Sequence, residues 1–141
     1  MDAPVSSILR VLERGEGGPR NTKCEVFQHP SSQIALLWIA VKLPIVTDRE
    51  FVVCQWVPEQ KGADATVVRV SLPDDITFEL RPASKKHVRG IIHTQSTWLT
   101  PHPTEPGCTI VKCVGAAEPG GEPCVQPPSR SPDYCARLVF C

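Results

Sequence analysis

Residues 36–54, LLWIAVKLPIVTDREFVVC, constrain the fold more than any other part of the chain. Two apolar, β-prone runs are joined through Leu43-Pro44 and followed by Asp48-Arg49-Glu50, the pattern of a strand, a tight corner and a return strand. Successive side chains of a strand point to opposite faces. Over residues 33–43 both classes are apolar: Ile34, Leu36, Trp38 and Ala40 on one side, Ala35, Leu37, Ile39, Val41 and Leu43 on the other. A strand apolar on both faces is covered on both, here by a helix layer or a lipid on one side and by another cover on the other, with a loop or an oligomer contact as the plainer alternative.

The rest of the chain repeats the theme of short strands between turns. Strands are expected at 23–28, 33–43, 50–57, 65–72, 88–94, 96–100 and 109–114, separated by turn residues such as His29-Pro30-Ser31-Ser32 and Pro58-Glu59-Gln60. Residues 4–14 carry Val5, Ile8, Leu9, Val11 and Leu12 on one helical face, with Asp2 and Pro4 as starting signals and a Gly-rich cluster at 15–18 to stop it. One helix and a series of short strands argue for an antiparallel sheet with helix packed on one face, an α+β class. Residues 115–141 differ in kind, because Pro119, Pro123, Pro127, Pro128 and Pro132 repeatedly remove the amide a ladder needs. The expected organisation is therefore a folded unit over 1–114 and a disordered Pro/Gly-rich tail over 115–141.

Charge and cysteine usage narrow the function classes. Fifteen Lys+Arg balance fifteen Asp+Glu, and no basic run exceeds Lys85-Lys86, so no electrostatic case for a nucleic-acid partner arises. The longest apolar stretch, residues 34–41, is far below the roughly 20 residues of a membrane-spanning helix. The N-terminus shows no basic region followed by an apolar run, which leads to the expectation of a cytoplasmic protein, peripheral at membranes at most. The seven cysteines include no Cys-x-x-Cys pair, which argues against zinc and leads to the expectation that Cys24, Cys54, Cys108 and Cys113 act as small hydrophobes in strands. His29, His87, His93 and His102 could supply a base, but no Gly-x-Ser-x-Gly elbow accompanies them. No enzyme, no cofactor and no metal site is expected.

Beyond residues 36–54 come Lys86-His87-Val88-Arg89-Gly90, then Thr97-Trp98-Leu99-Thr100-Pro101, then Cys108-Thr109-Ile110-Val111-Lys112-Cys113-Val114. In this order they resemble a START domain, the StAR-related lipid transfer module, over residues 5–114. Glu50 stands where that family typically has Asp, and Ser96-Thr97 where it has a small residue and Gly. The family's N-terminal strands and its long closing helix have no counterpart here. The resemblance implies a partial helix-grip fold, a curved antiparallel sheet with a helix packed on it. It also implies binding of a lipid in an apolar cavity, intracellular lipid transfer, transient contact with a membrane surface and a monomeric state. The alternative is a truncated or isoform-specific START fragment that serves as a regulatory or protein-interaction module without carrying lipid.

On that resemblance, the lipid-binding residues are Trp38, Arg49, Phe51, Val53, Gln55, Arg89 and Trp98, and the entrance loop is Leu43, Pro44, Ile45 and Val46. Arg49, Phe51, Val53 and Gln55 share one strand face. Gln55 lies where lipid carriers of the family often place Arg, which favours a sterol or another neutral lipid over a phospholipid, because an amide cannot neutralise a phosphate. Each residue has a plainer role: a salt bridge to Asp48 or Glu50 for Arg49, an outward position for Gln55, core packing for the tryptophans. Gly90 is expected to permit close approach of a neighbouring chain, or a bulge.

Overall fold

The computed structural model describes residues 4–14, 22–60, 62–118 and 120, and the backbone of the strand at 133–140. The expected strand-corner-strand forms first in the sheet: β1 (Thr22–Gln28), β2 (Ile34–Val41) and β3 (Asp48–Trp56) run antiparallel. They continue through β4 (Ala65–Ser71), β6 (Ile91–Pro101), β7 (Thr109–Glu118) and β8 (Asp133–Phe140) in the order β1-β2-β3-β4-β6-β7-β8. A short strand, β5 (His87–Arg89), pairs parallel with residues 48–50 of β3. Because β2 takes the other edge of β3, its free edge is divided between β4 at residues 53–56 and β5 at 48–50. The class is α+β with an open sheet, and one parallel pair departs from the wholly antiparallel expectation.

Helix α1 (Val5–Glu13) starts behind Pro4, whose fixed φ suits the position before a first turn. Its apolar stripe of Val5, Ile8, Leu9 and Leu12 packs on Ala65, Leu99 and Val111. The register places those three residues on the face of Val53 and Gln55. A second helix, α2 (Asp74–Leu80), was not expected. The chain just after it covers the opposite face, where Arg81 lies over the Trp38 ring and the amide of Ser84 donates to Glu50. The two helical segments therefore take opposite faces rather than one. This explains the doubly apolar β2: Leu37 and Ile39 pack with Val53 on the α1 face, and Leu36 and Ala40 are buried on the other.

Two expectations about the C-terminal part change. Residues 88–94 and 96–100 are not separate strands, since the break falls at Gly90 and β6 runs unbroken in sequence with a register shift between Ile92 and Thr94. Pairing also does not stop at Val114, because β7 runs to Glu118 and β8 lies antiparallel to it from Ala116↔Asp133 to Thr109↔Phe140. The expected disordered tail is thus ordered backbone at 115–118 and 133–140. An antiparallel neighbour satisfies the amides that the prolines elsewhere in the segment cannot. Residues 119, 121–132 and 141, which hold all five prolines behind that expectation, lie outside the described residues.

Gly90 is the pivot between β5 and β6. Its amide donates to the Glu50 carbonyl at 2.8 Å, and a Cβ there would sit 2.4 Å from Phe51 Cε1 and 2.8 Å from the Glu118 carbonyl oxygen. The close approach expected of this glycine is present. Because one of the obstructing atoms is backbone, Gly90→Ala should destabilise the fold by about 1–3 kcal/mol. Urea denaturation measures it, and an unchanged midpoint would show that the two chains can separate freely there.

Candidate functional site

An apolar hollow lies where the N-terminal turn of α1 overhangs the ends of β4, β6 and β7. It has a volume of about 420 Å³, with Val5 and Leu9 from the helix and Ala65, Pro101, Cys108 and Thr109 from the sheet among its walls. The geometry follows from the helix packing on Leu99 and Val111 while its first turn projects past the strand ends toward Gln60 and Asp64. Thr109 is fully buried beneath it. None of the residues expected to bind lipid lines this hollow.

Those residues divide between the two faces. Arg49, Phe51, Val53 and Gln55 share the α1 face, as their alternation requires, whereas Trp38, Arg89 and Trp98 belong to the opposite face. A single cavity lined by all of them is therefore ruled out by strand parity. Val53 is core, packed with Leu37 and Ile39, and Phe51 packs beside them. Arg49 donates from Nη1 to the Thr47 carbonyl and takes no part in the ion pairs among the described residues, which are Arg81–Glu25, Arg89–Glu50 and His93–Glu118. Trp98 is exposed and stands opposite Lys112 and Thr66.

Gln55 is buried rather than outward. Its Oε1 accepts a hydrogen bond from Arg69 Nε at 2.8 Å, and Arg69 Nη2 reaches the Leu12 carbonyl at 3.4 Å. A guanidinium therefore stands beside the amide that was expected to replace one. The electrostatic ground for preferring a neutral lipid at Gln55 is removed, because Arg69 restores the positive charge. Gln55 also borders a small hollow of about 180 Å³ between Glu13, His29 and Ser32.

On the opposite face, Glu50 and Arg89 form a buried ion pair. Arg89 Nη2 lies 3.0 Å from Glu50 Oε1 and Nε lies 3.1 Å from it, with side-chain exposures of 7% and 1%. Trp38 Nε1 donates to Glu50 Oε2 at 2.9 Å, and Arg89 Nη2 also donates to the Arg81 carbonyl at 2.8 Å. Burial alone would raise the Glu50 pKa, but the hydrogen bonds from Trp38, Arg89 and the Ser84 amide, with the Arg89 charge, outweigh it and hold the carboxyl below its ordinary value of 4.5. The Phe78 ring closes over Arg89 at 5.0 Å. This cluster positions β5 and α2 on the sheet. Its saturation with donors gives Trp38 and Arg89 a structural role.

The loop between β2 and β3 keeps Leu43 partly buried, its amide donating to Asp48 Oδ1 at 3.2 Å, while Pro44, Ile45 and Val46 project into solvent. Ile45 is fully exposed at φ 75, a conformation that costs a β-branched residue about 1–3 kcal/mol. Burial pushes the thiols of Cys24 and Cys54 up, partly offset at Cys24 by Arg69. Cys24 and Cys54 are free thiols, as expected of packed cysteines, and Cys113 Sγ accepts from Gln95 Nε2 and Thr97 Oγ1 at 3.6 Å, but Cys108 is disulfide-bonded, which corrects its reading as a small hydrophobe. Among the described residues no group of three or more His, Cys, Asp or Glu could hold a metal, and no helix is long and apolar enough to cross a membrane. Comparison of the chain with protein-family models and with curated proteins gives no match.

Proposed function

We propose that the chain binds a lipid, a sterol or another largely apolar molecule, in the hollow beneath α1 and carries it between membranes as a monomer. The reading rests on the hollow itself: about 420 Å³, with Val5, Leu9, Ala65 and Pro101 presenting apolar walls. Small-molecule sites typically enclose roughly 300–1,000 Å³ and are mostly apolar. The partial resemblance to START domains supports the same reading, although the ligand would sit at the strand ends under α1 rather than along Arg49, Phe51, Val53 and Gln55. Affinity would come from burying hydrocarbon, about 0.8 kcal/mol per CH₂. Catalysis, a cofactor and nucleic acid have no part in it. Loop 43–47 would make the transient membrane contact.

Ser6 lines the hollow from an exposed position on α1, so Ser6→Trp should fill it without touching the core. Uptake of a fluorescent sterol or phospholipid from vesicles should fall at least tenfold while the melting temperature holds. Unchanged uptake would remove the hollow from the function. A cytoplasmic location is part of the proposal, and the Cys108 disulfide weighs against it, because glutathione keeps cytosolic thiols reduced. Labelling of free thiols in freshly lysed cells decides the compartment.

A second reading, a protein-interaction module without lipid carriage, is favoured by the face opposite α1. Trp56, Val70, Trp98 and Val114 are all exposed there, linked across β3, β4, β6 and β7 by the register. Exposed large apolar side chains gathered on one sheet face are a feature of interaction sites.

A further inference from the structure

The disulfide at Cys108 has one of three partners, and strand geometry selects among them. The chain holds seven cysteines. Cys24, Cys54 and Cys113 remain thiols, which leaves Cys124, Cys135 and Cys141. A disulfide forms only where the two Cα atoms come within roughly 7 Å. Cys135 stands opposite Val114 in the β7–β8 ladder, about 20 Å along the strand from Cys108. Cys124 follows the end of β7 at Glu118 by six residues, which reach back at most about 22 Å. The Cys108 carbonyl accepts from the His102 amide at 2.8 Å, so the course of β7 continues through it. The ten residues of β7 therefore hold Glu118 about 33 Å from Cys108. Cys124 falls short by about 11 Å.

Cys141 meets the condition. The ladder between β7 and β8 runs without a register shift from Ala116↔Asp133 to Thr109↔Phe140, and Cys108 and Cys141 are the next residues beyond that last pair. One further step of the same register makes them a directly opposed pair. Opposed residues of an antiparallel ladder have Cα atoms about 4.5–5.5 Å apart, inside the range that a disulfide spans. Among the described residues β8 is an edge strand, paired with β7 alone. Its docking also closes the connection 119–132, at an entropic cost. A cross-link at the end of the ladder remote from that connection restricts the released chain and so favours the docked strand.

We propose that a Cys108–Cys141 disulfide clasps β8 to the sheet and makes this edge of the sheet redox-sensitive. A thiol reductant opens the clasp in two exchange steps. Its first thiolate attacks one sulfur, breaks the S–S bond, forms a mixed disulfide and releases the other cysteine as thiolate. A second thiolate then displaces the remaining cysteine. The protein takes up two electrons and two protons as thiols, and the reductant leaves as its own disulfide. Release of β8 bares the outer edge of β7, whose unpaired amides and carbonyls can accept another strand. The clasp is closed in an oxidising compartment and open in a reducing one. It goes beyond the lipid reading and does not rest on it.

Trypsin digestion of the whole chain, purified without reductant and with its thiols blocked, tests the pairing. Cleavage after Arg89, Lys112, Arg130 and Arg137 places Cys108, Cys124, Cys135 and Cys141 on four separate peptides. Mass spectrometry should find peptide 90–112 joined to 138–141. Peptide 90–112 unjoined, or joined to 113–130 or 131–137, overturns the assignment. Hydrogen exchange tests the clasp. On addition of dithiothreitol, the amides of β8 and those of β7 that face it should exchange faster by about tenfold or more, while the amides of β3 keep their rates. Cys141→Ser should show the fast exchange without reductant and gain nothing further from it. Indifference of the β8 amides to reductant overturns the switch. Equal loss of protection in β3 overturns it too, because the disulfide would then hold the whole fold rather than one edge.

Discussion

Arg89→Met should destabilise the fold by about 3–5 kcal/mol, the range for stripping one partner from a buried ion pair. Methionine fills much of the space, so the loss is electrostatic. Glu50 would remain 1% exposed with donors only from Trp38 and the Ser84 amide. Adding Glu50→Gln should recover part of the loss, since the stranded charge disappears. Urea denaturation of both variants measures this, and a loss below about 1 kcal/mol in the single variant would show that water reaches the carboxylate. The effect also has a pH signature. With its folded pKa below the ordinary 4.5, Glu50 binds fewer protons in the folded than in the unfolded state, so its contribution is complete above that value and is lost as pH falls through the folded pKa. The stability gap between wild type and Arg89→Met should therefore narrow as pH falls, starting where the unpaired Glu50 of the variant takes up its proton and ending at the lower folded pKa of the wild type.

Leu99→Ala should cost about 2–5 kcal/mol, the usual range for a large-to-small change at a buried aliphatic position. Leu99 has no exposed surface and holds the centre of the cluster of Ala65, Val111 and the four apolar residues of α1. Its neighbour Ala65 is already small and cannot expand to fill the space. The helix should be the first casualty, because α1 has no fully buried residue of its own and its caps supply no side-chain hydrogen bond. Trypsin should cut at Arg10 and Arg14 sooner in the variant than in the wild type. Stability within 1 kcal/mol of wild type, as an order-of-magnitude threshold for a core site, would mean that α1 is not held by this cluster.

What could be read from residue order was local. The β2-corner-β3 unit, helix α1 and the burial of both faces of β2 follow from hydrophobic periods within single segments. The parallel pairing of β5 does not, since Glu50 and Arg89 are 39 residues apart and neither segment carries a local signal for the other. The same limit split the candidate site. Trp98 and Arg89 were grouped with Arg49 and Gln55, but parity between strands depends on register, and a shift of one residue exchanges the faces. Helix α2 was missed although Pro73, Asp74 and Asp75 are starting signals, because Ile76, Thr77 and Phe78 dilute its helix propensity. β8 was missed because the prolines between 119 and 132 led the whole of 115–141 to be read as disordered. Its order comes from β7, a partner distant in sequence.

The divided edge of β3 sets an order of events for the chain as it folds. β4 follows β3 closely and can zip onto residues 53–56 as a hairpin, whereas β5 must wait until α2 and the following turn have been laid down. Longer loops close at greater entropic cost, about 0.6 kcal/mol for each doubling. We expect β5 to dock last on these grounds, which places the Glu50–Arg89 pair after the rate-limiting barrier. An interaction that forms after that barrier acts on the rate of escape from the native state more than on the rate of reaching it. The Glu50–Arg89 pair is then expected to act as a latch, setting how long a folded molecule lasts more than how quickly one forms.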